Sequence, residues 1–139
     1  MKKIFLDANI IIDLVNTGNR RHAESLLLFS ELTKQGAKMY VSPTSFAITY
    51  YFLGKSIKNH AKLNEVVIEL FSHFIFTRED DVIMGNVLQS SFIDLEDALQ
   101  YFSAIDSGAG IIISYNQHDF INPSIPVYHP FQYISEFIL

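Results

Sequence analysis

The sequence predicts an α/β fold: a three-layer α/β/α sandwich with a central parallel sheet. Three observations carry that expectation. Short β-rich runs alternate with longer helical runs along all 139 residues. Lys3-Ile4-Phe5-Leu6 and Ile111-Ile112-Ile113 are continuous apolar runs, the pattern of strands buried on both faces. Helical stretches separate successive strands, as right-handed crossovers between parallel strands require. With 49% hydrophobic and 18% charged residues the chain can bury a core, and its length suits one domain over residues 1–139.

The elements follow in order. Lys3–Leu6 is a strand ended by Asp7, and Asn9 can cap a short helix through Asp13 and Leu14. Arg21–Gln35 carries apolar residues at Ala23, Leu26, Leu27 and Leu32, a helix that Gly36 stops. Met39–Val41 is a second strand, closed by Ser42-Pro43. Thr44–Leu53 reads as a helix with Pro43 near its first turn and Gly54 at its end, although its aromatic content also suits a strand. Asn59–Phe71 places Leu63, Val66, Val67 and Leu70 on one helical face. Phe74–Phe76 is a short strand and Asp80–Leu88 a helix. Asp94–Ile105 is a helix with Leu95, Ala98, Leu99 and Phe102 on one face, and Gly108 and Gly110 mark its exit into Ile111–Ile113. Ile125–Tyr128 is an edge strand, where Pro126 is tolerated. Phe131–Ile138, led by Pro130, closes the chain as a helix.

Composition excludes several functions. The chain has no cysteine, so disulfides, zinc ribbons, thiol nucleophiles and cysteine-ligated clusters are ruled out. That absence fits a reducing cytoplasm. The charged start gives no signal peptide, because Asp7 breaks the apolar run, and Ile10-Ile11-Ile12 is too short to span a bilayer. The five histidines form no HExxH pair. A net charge of -5 argues against nucleic-acid binding by bulk positive charge, but leaves room for a nuclease, whose metal site is itself acidic.

In a parallel α/β sheet, ligands bind at the carboxyl ends of the strands. Asp7 ends the first strand. Asp119 follows the Ile111–Ile113 strand after a short loop. Asp94, Glu96 and Asp97 stand in the first turn of the preceding helix, which runs antiparallel to the strands and so starts at the same edge. Carboxylates gathered in this way repel one another and call for a cation. Oxygen ligands suit Mg²⁺ or Mn²⁺, and such an ion can support hydrolysis of a phosphodiester. Each acid also has a structural role open to it. Asp7 can cap the following helix, Asp94 with Asp97 resembles a capping box, Glu96 suits the helix dipole, and Asp119 suits a turn. Asn9, Ser114 and Asn116 can orient substrate or satisfy loop backbone, and Asp13 reads as a surface charge.

These residues resemble the PIN domain family, and within it the VapC-like toxin ribonucleases. Ile4 to Asp13 looks like the first motif of that family, Asp94 to Gln100 like its third-motif helix, and Ile111 to Phe120 like its last strand and acidic loop. Ile125 to Pro130 fits its closing segment. The resemblance implies an α/β/α fold and a Mg²⁺- or Mn²⁺-dependent endoribonuclease. Asp7, Asp97 and Asp119 would be metal ligands, joined by Asp94, and Ser114 would take the place of a hydroxyl residue near the metal. It further implies RNA as substrate, a homodimer, and a cognate antitoxin that silences the enzyme. Two positions depart from the family. An acid, most often Glu, is expected on the helix after the second strand, at or near Ile48, and no acid occurs between Tyr40 and Gly54. A basic residue is common where Tyr115 stands.

The departures keep a second function open: a PIN-like module, weakly active or inactive, that binds RNA or protein. A haloacid-dehalogenase-like hydrolase expects a second Asp where Asn9 stands. A receiver domain expects an acidic pair after its first strand. Lys55, Lys58 and Lys62, with His60 among them, form the densest basic stretch, either a phosphate patch or a solvated helix end. Tyr50, Tyr51 and Phe52 beside it can stack bases or join a core or an oligomer face. Twelve Phe and seven Tyr exceed what a small domain buries centrally and favour self-association.

Overall fold

The computed structural model describes residues 2–138. Among them are five strands and seven α-helices: β1 (Lys3–Leu6), α1 (Ala8–Val15), α2 (His22–Lys34), β2 (Lys38–Val41), α3 (Pro43–Gly54), α4 (His60–Phe71), β3 (Ile75–Phe76), α5 (Asp81–Leu88), α6 (Leu95–Ser107), β4 (Ile111–Ile113), β5 (Val127–Tyr128) and α7 (Pro130–Phe137). A 3₁₀ turn, Gln117–Asp119, lies between β4 and β5. The strands form one sheet in the order β3-β2-β1-β4-β5, and every pairing is parallel.

Alternation along the central strands sorts the layers. Ile4 and Leu6 of β1, Met39 and Val41 of β2 and Ile113 of β4 face a core built with α1, α2, α3, α4 and α7. Phe5 and its register partner Ile112 face the other side, against Tyr101 and Ala104 of α6. Ile83 and Val87 of α5 pack on Ala98 to complete that layer. Ile4, Phe5, Leu6, Ile112 and Ile113 have no accessible surface. Each such side chain contributes roughly 1.5–3 kcal/mol by burial.

The chain winds outward from β1 through β2 to β3, then returns on the other side of β1 as β4. The winding reverses between β1 and β4, and that crevice is where such a sheet binds ligands.

Two local expectations are revised. The cap of α1 is Asp7, not Asn9: Asp7 holds extended backbone and accepts from the Ala8 amide. The stretch from Thr44 is the expected helix: Ser42 caps α3 and Pro43 fits its first turn, which closes the strand alternative. Asp13 is not a surface charge but is 5% exposed, on the inner face of α1. The α6–β4 connection turns on Gly108, which caps α6 at φ +81°, backbone that glycine adopts without strain. Among the described residues no helix is long and apolar enough to cross a membrane.

Candidate active site

Asp7 begins the crevice. Its amide donates to Ile113 O (3.0 Å), continuing the β1–β4 ladder by one residue. Its carboxylate is held from two sides: Oδ1 accepts from the Ala8 amide (2.7 Å) and Oδ2 from Ser114 Oγ (2.6 Å). Ser114 also accepts from the Asn116 amide (3.0 Å), so one buried hydroxyl ties the end of β1 to the loop after β4. Burial is the largest influence on Asp7 and lifts its pKa to about 6; Glu96 and Asp119 add repulsion, while the Ser114 and Ala8 bonds oppose the rise.

The start of α6 faces this edge. Asp94 caps it, accepting from the Glu96 amide (2.8 Å) and, at longer range, the Asp97 amide (3.4 Å). Asp97 is half-buried. Desolvation first, then the charges of Asp94, Asp7, Asp119 and Glu96, push it up to about 7. Glu96 is the expected exposed first-turn acid of α6, and its charge adds to the rise of Asp7 and Asp97. A cleft of about 230 Å³ opens among Asp94, Asp97, Asp119 and His118, between Ile93 and Ile121.

Asp7, Asp94, Asp97 and Asp119 thus share one edge. Asp94, Asp97 and Asp119 line the cleft, and Asp7, which does not, is near enough for its charge to raise Asp97. Among the described residues no three His, Asp or Glu side chains are arranged as ligands of a single ion. The donor set nevertheless suits a hard cation: the four are carboxylates, and the charges of the others raise Asp97.

The remaining candidates divide. Ser114 is fully buried and positions Asp7. Asn116 is exposed at the start of the acidic loop. Asn9, on the first turn of α1, has a buried Oδ1 without a partner among the described residues. Ile48 is half-buried in α3 and packs on none of the three core clusters. Sequence reasoning missed His118 as a lining residue, although it directly precedes Asp119 in one 3₁₀ turn. It also missed Gln100, 1% exposed, whose Nε2 donates to Ser42 Oγ (2.9 Å) and ties α6 to the start of α3.

A parallel sheet whose winding reverses beside a capped aspartate, with a second acid on the returning helix and a third in the loop after β4, defines an acidic-site α/β domain. A PIN domain model matches residues 3–118, and the chain belongs to the PIN domain family. Ribonuclease VapC1 of Aquifex aeolicus (strain VF5) is 30% identical over 132 residues, 91% of this chain and 89% of that protein. Among solved structures, VapBC-1 from nontypeable Haemophilus influenzae superposes with a TM-score of 0.68 at 16% identity, over 93% of this chain and 98% of that one. VapC20 of Mycobacterium tuberculosis, a Sarcin-Ricin loop cleaving toxin, gives 0.61 at 16% identity, over 78% and 86%. At such identities the two structures bear on the fold alone, and the fold agrees.

Proposed function

We propose that the chain is a metal-dependent endoribonuclease of the VapC toxin type, hydrolysing RNA phosphodiesters at the carboxyl edge of its sheet. The observation that carries this reading is the convergence of Asp7, Asp94, Asp97 and Asp119 there, with Asp97 raised to about 7 by burial and by its neighbours. Asp7, Asp97 and Asp119 would hold Mg²⁺ or Mn²⁺, with Asp94 assisting from the cap of α6. Once bound there, such an ion would supply an acidified water and stabilisation of charge on a phosphoryl oxygen. Ser114 keeps Asp7 oriented. Asn9 and Asn116 supply amide groups to the substrate. Binding the ion requires Asp7 and Asp97 to release their protons, so affinity rises with pH through about 6 and about 7.

The relationship to VapC1 and the likeness to VapBC-1 support a cytoplasmic toxin silenced by a cognate antitoxin protein. The exposed rings of Phe131 and Phe137 on α7 support a homodimer. Light scattering at about ten micromolar is expected to give twice the chain mass, and a monomer there would refute the dimer.

Cleavage of structured RNA by purified protein with Mn²⁺ tests the enzyme. Activity that Asp7→Asn abolishes is expected, since Asn can still cap α1 but carries no charge. Activity equal in the two proteins would refute the assignment.

Ile48 favours the second reading, a PIN-fold module of weak or no activity for RNA or protein binding. An apolar residue there removes one charge from the family's pattern, leaving a bound ion with more waters and fewer protein oxygens. Ile48→Glu separates the readings. If Ile48 borders the site, the variant binds Mn²⁺ more tightly and cleaves faster. If Ile48 is only a packing residue, the variant loses stability through an unpaired acid and gains no affinity.

A further inference from the structure

An acidic cleft on a chain of net charge -5 repels the polyanion that the proposed reaction consumes. The grip on substrate then falls to cations outside the cleft. The densest run of them, Lys55, Lys58, His60 and Lys62, lies where α3 gives way to α4, and all four side chains are exposed. Among the described residues none of these three lysines is in an ion pair, and only Lys55 has another partner, the Tyr51 ring it lies over.

A groove of about 650 Å³ runs along the same place. Its floor is aromatic and aliphatic: Phe46 stacks on Tyr50 with centroids 6.1 Å apart, and Leu63 closes the base. Tyr50 is tied down by its hydroxyl, which donates to Asn64 Oδ1 (2.9 Å). Tyr51, by contrast, is 71% exposed, and Lys55 Nζ stands 4.9 Å from its ring centroid. A ring face beside a cation matches a base beside its phosphate.

The groove is connected to the acidic edge. Ser42 caps α3 and bonds to Gln100, one turn beyond Asp97 on α6. Phe46 stands one turn into α3. From there the helix runs away from the carboxyl edge toward Lys55, its 12 residues spanning about 18 Å.

We propose that the α3–α4 groove is a binding site for single-stranded RNA, taking the strand that flanks the cleaved bond, with a base on Tyr51 and phosphates at Lys55 and Lys58. The inference rests on the ribonuclease reading. An acidic peptide without aromatic residues would satisfy the lysines but leave the exposed Tyr51 ring uncovered.

The test is fluorescence anisotropy with a fluorescein-labelled single-stranded oligoribonucleotide in EDTA, where binding is read without cleavage. Wild type, Tyr51→Ala and the double variant Lys55→Ala/Lys58→Ala are compared across a salt series. The expected result is affinity about tenfold weaker for Tyr51→Ala. For the double variant, the slope of log K against log salt becomes shallower by about 1.4, two single-strand phosphate contacts. These side chains are exposed, so unchanged thermal melts are expected; if Tyr51→Ala unfolds, the salt slope of the double variant decides alone. Equal affinity and slope in all three proteins overturns the proposal, as does a wild type that does not bind the RNA. The ribonuclease reading fails separately, if wild type binds the RNA but Mn²⁺ brings no cleavage.

Discussion

Two polar clusters meet at the end of β4, and consecutive residues enter them. Ser114 reaches into the acidic crevice. Tyr115, 5% exposed, reaches toward α2, where its hydroxyl meets Ser25 Oγ (2.8 Å) and donates to Arg21 O (3.3 Å). The Arg21 guanidinium lies 4.5 Å from its ring centroid, and His129 meets the ring edge-on at 5.1 Å. Asp13 is nearby, its carboxyl raised by burial and lowered by Arg21 and His22. In the Tyr115 cluster, hydroxyls pair with the buried phenol and the charges of Arg21 and His22 oppose the rise that burial gives Asp13. In the crevice, acids face acids. A satisfied network contributes to stability, whereas a cluster that raises the pKa of its own members lowers it until a cation arrives. The contrast separates a satisfied cluster from a repelling one at the end of the same strand.

The largest effect that tests this contrast belongs to the Tyr115 side. Tyr115→Ala empties a buried ring site and strands Ser25, and is expected to cost about 3–5 kcal/mol in denaturant unfolding. A cost under about 1 kcal/mol would show that the network is not structural.

The pH dependence should come from the other side. Asp7 is raised to about 6 and Asp97 to about 7 from the ordinary 3.8, so the folded chain holds protons that the unfolded chain has released. Their contribution is fully present below about pH 4 and is lost as pH rises through about 6 and about 7. For Asp7 the loss is on the order of 3 kcal/mol. Metal-free unfolding curves between pH 4 and 8 check this: wild type falls more steeply than Asp7→Asn, and parallel curves would refute the raised pKa of Asp7.

Asp97→Asn is expected to raise the metal-free melting temperature at pH 8 by roughly 4 °C, the equivalent of about 1 kcal/mol. It relieves repulsion from Asp7, Asp94, Glu96 and Asp119 while leaving the Asp94 cap intact. A sharp fall would assign Asp97 to helix capping instead. Asp94→Ala runs the other way. It removes the acceptor for the Glu96 and Asp97 amides and is expected to cost about 1 kcal/mol or less, its position being exposed.

The two clusters were unequally legible in the sequence. The crevice follows from strand polarity: an Asp ending β1, acids starting α6 and a loop acid after β4 reach one edge whatever the side-chain details. The layers were equally readable, because Phe5 and Ile112 face opposite to Ile4, Leu6 and Ile113 by strand alternation. The Tyr115 cluster was not, because Ser25 and Arg21 lie 90 and 94 residues away and no local periodicity records the meeting. The same reason hid the burial of Asp13, whose surroundings come from the packing of α2 rather than from α1. Gln100 was hidden likewise, since its partner Ser42 is 58 residues distant. The last strand was read as Ile125–Tyr128 but is Val127–Tyr128. Proline has no N–H for the ladder, and Pro126 contributes only its carbonyl, to the Ile112 amide.

Calorimetric titration of Mn²⁺ into metal-free protein at pH 8 tests the central claim most directly, because it asks whether the acids at the carboxyl edge are a cation site. One binding event per chain is expected for wild type, weakened at least tenfold in Asp97→Asn and unchanged in Tyr115→Phe, which keeps the ring. No binding by wild type, or equal binding by Asp97→Asn, would contradict the account.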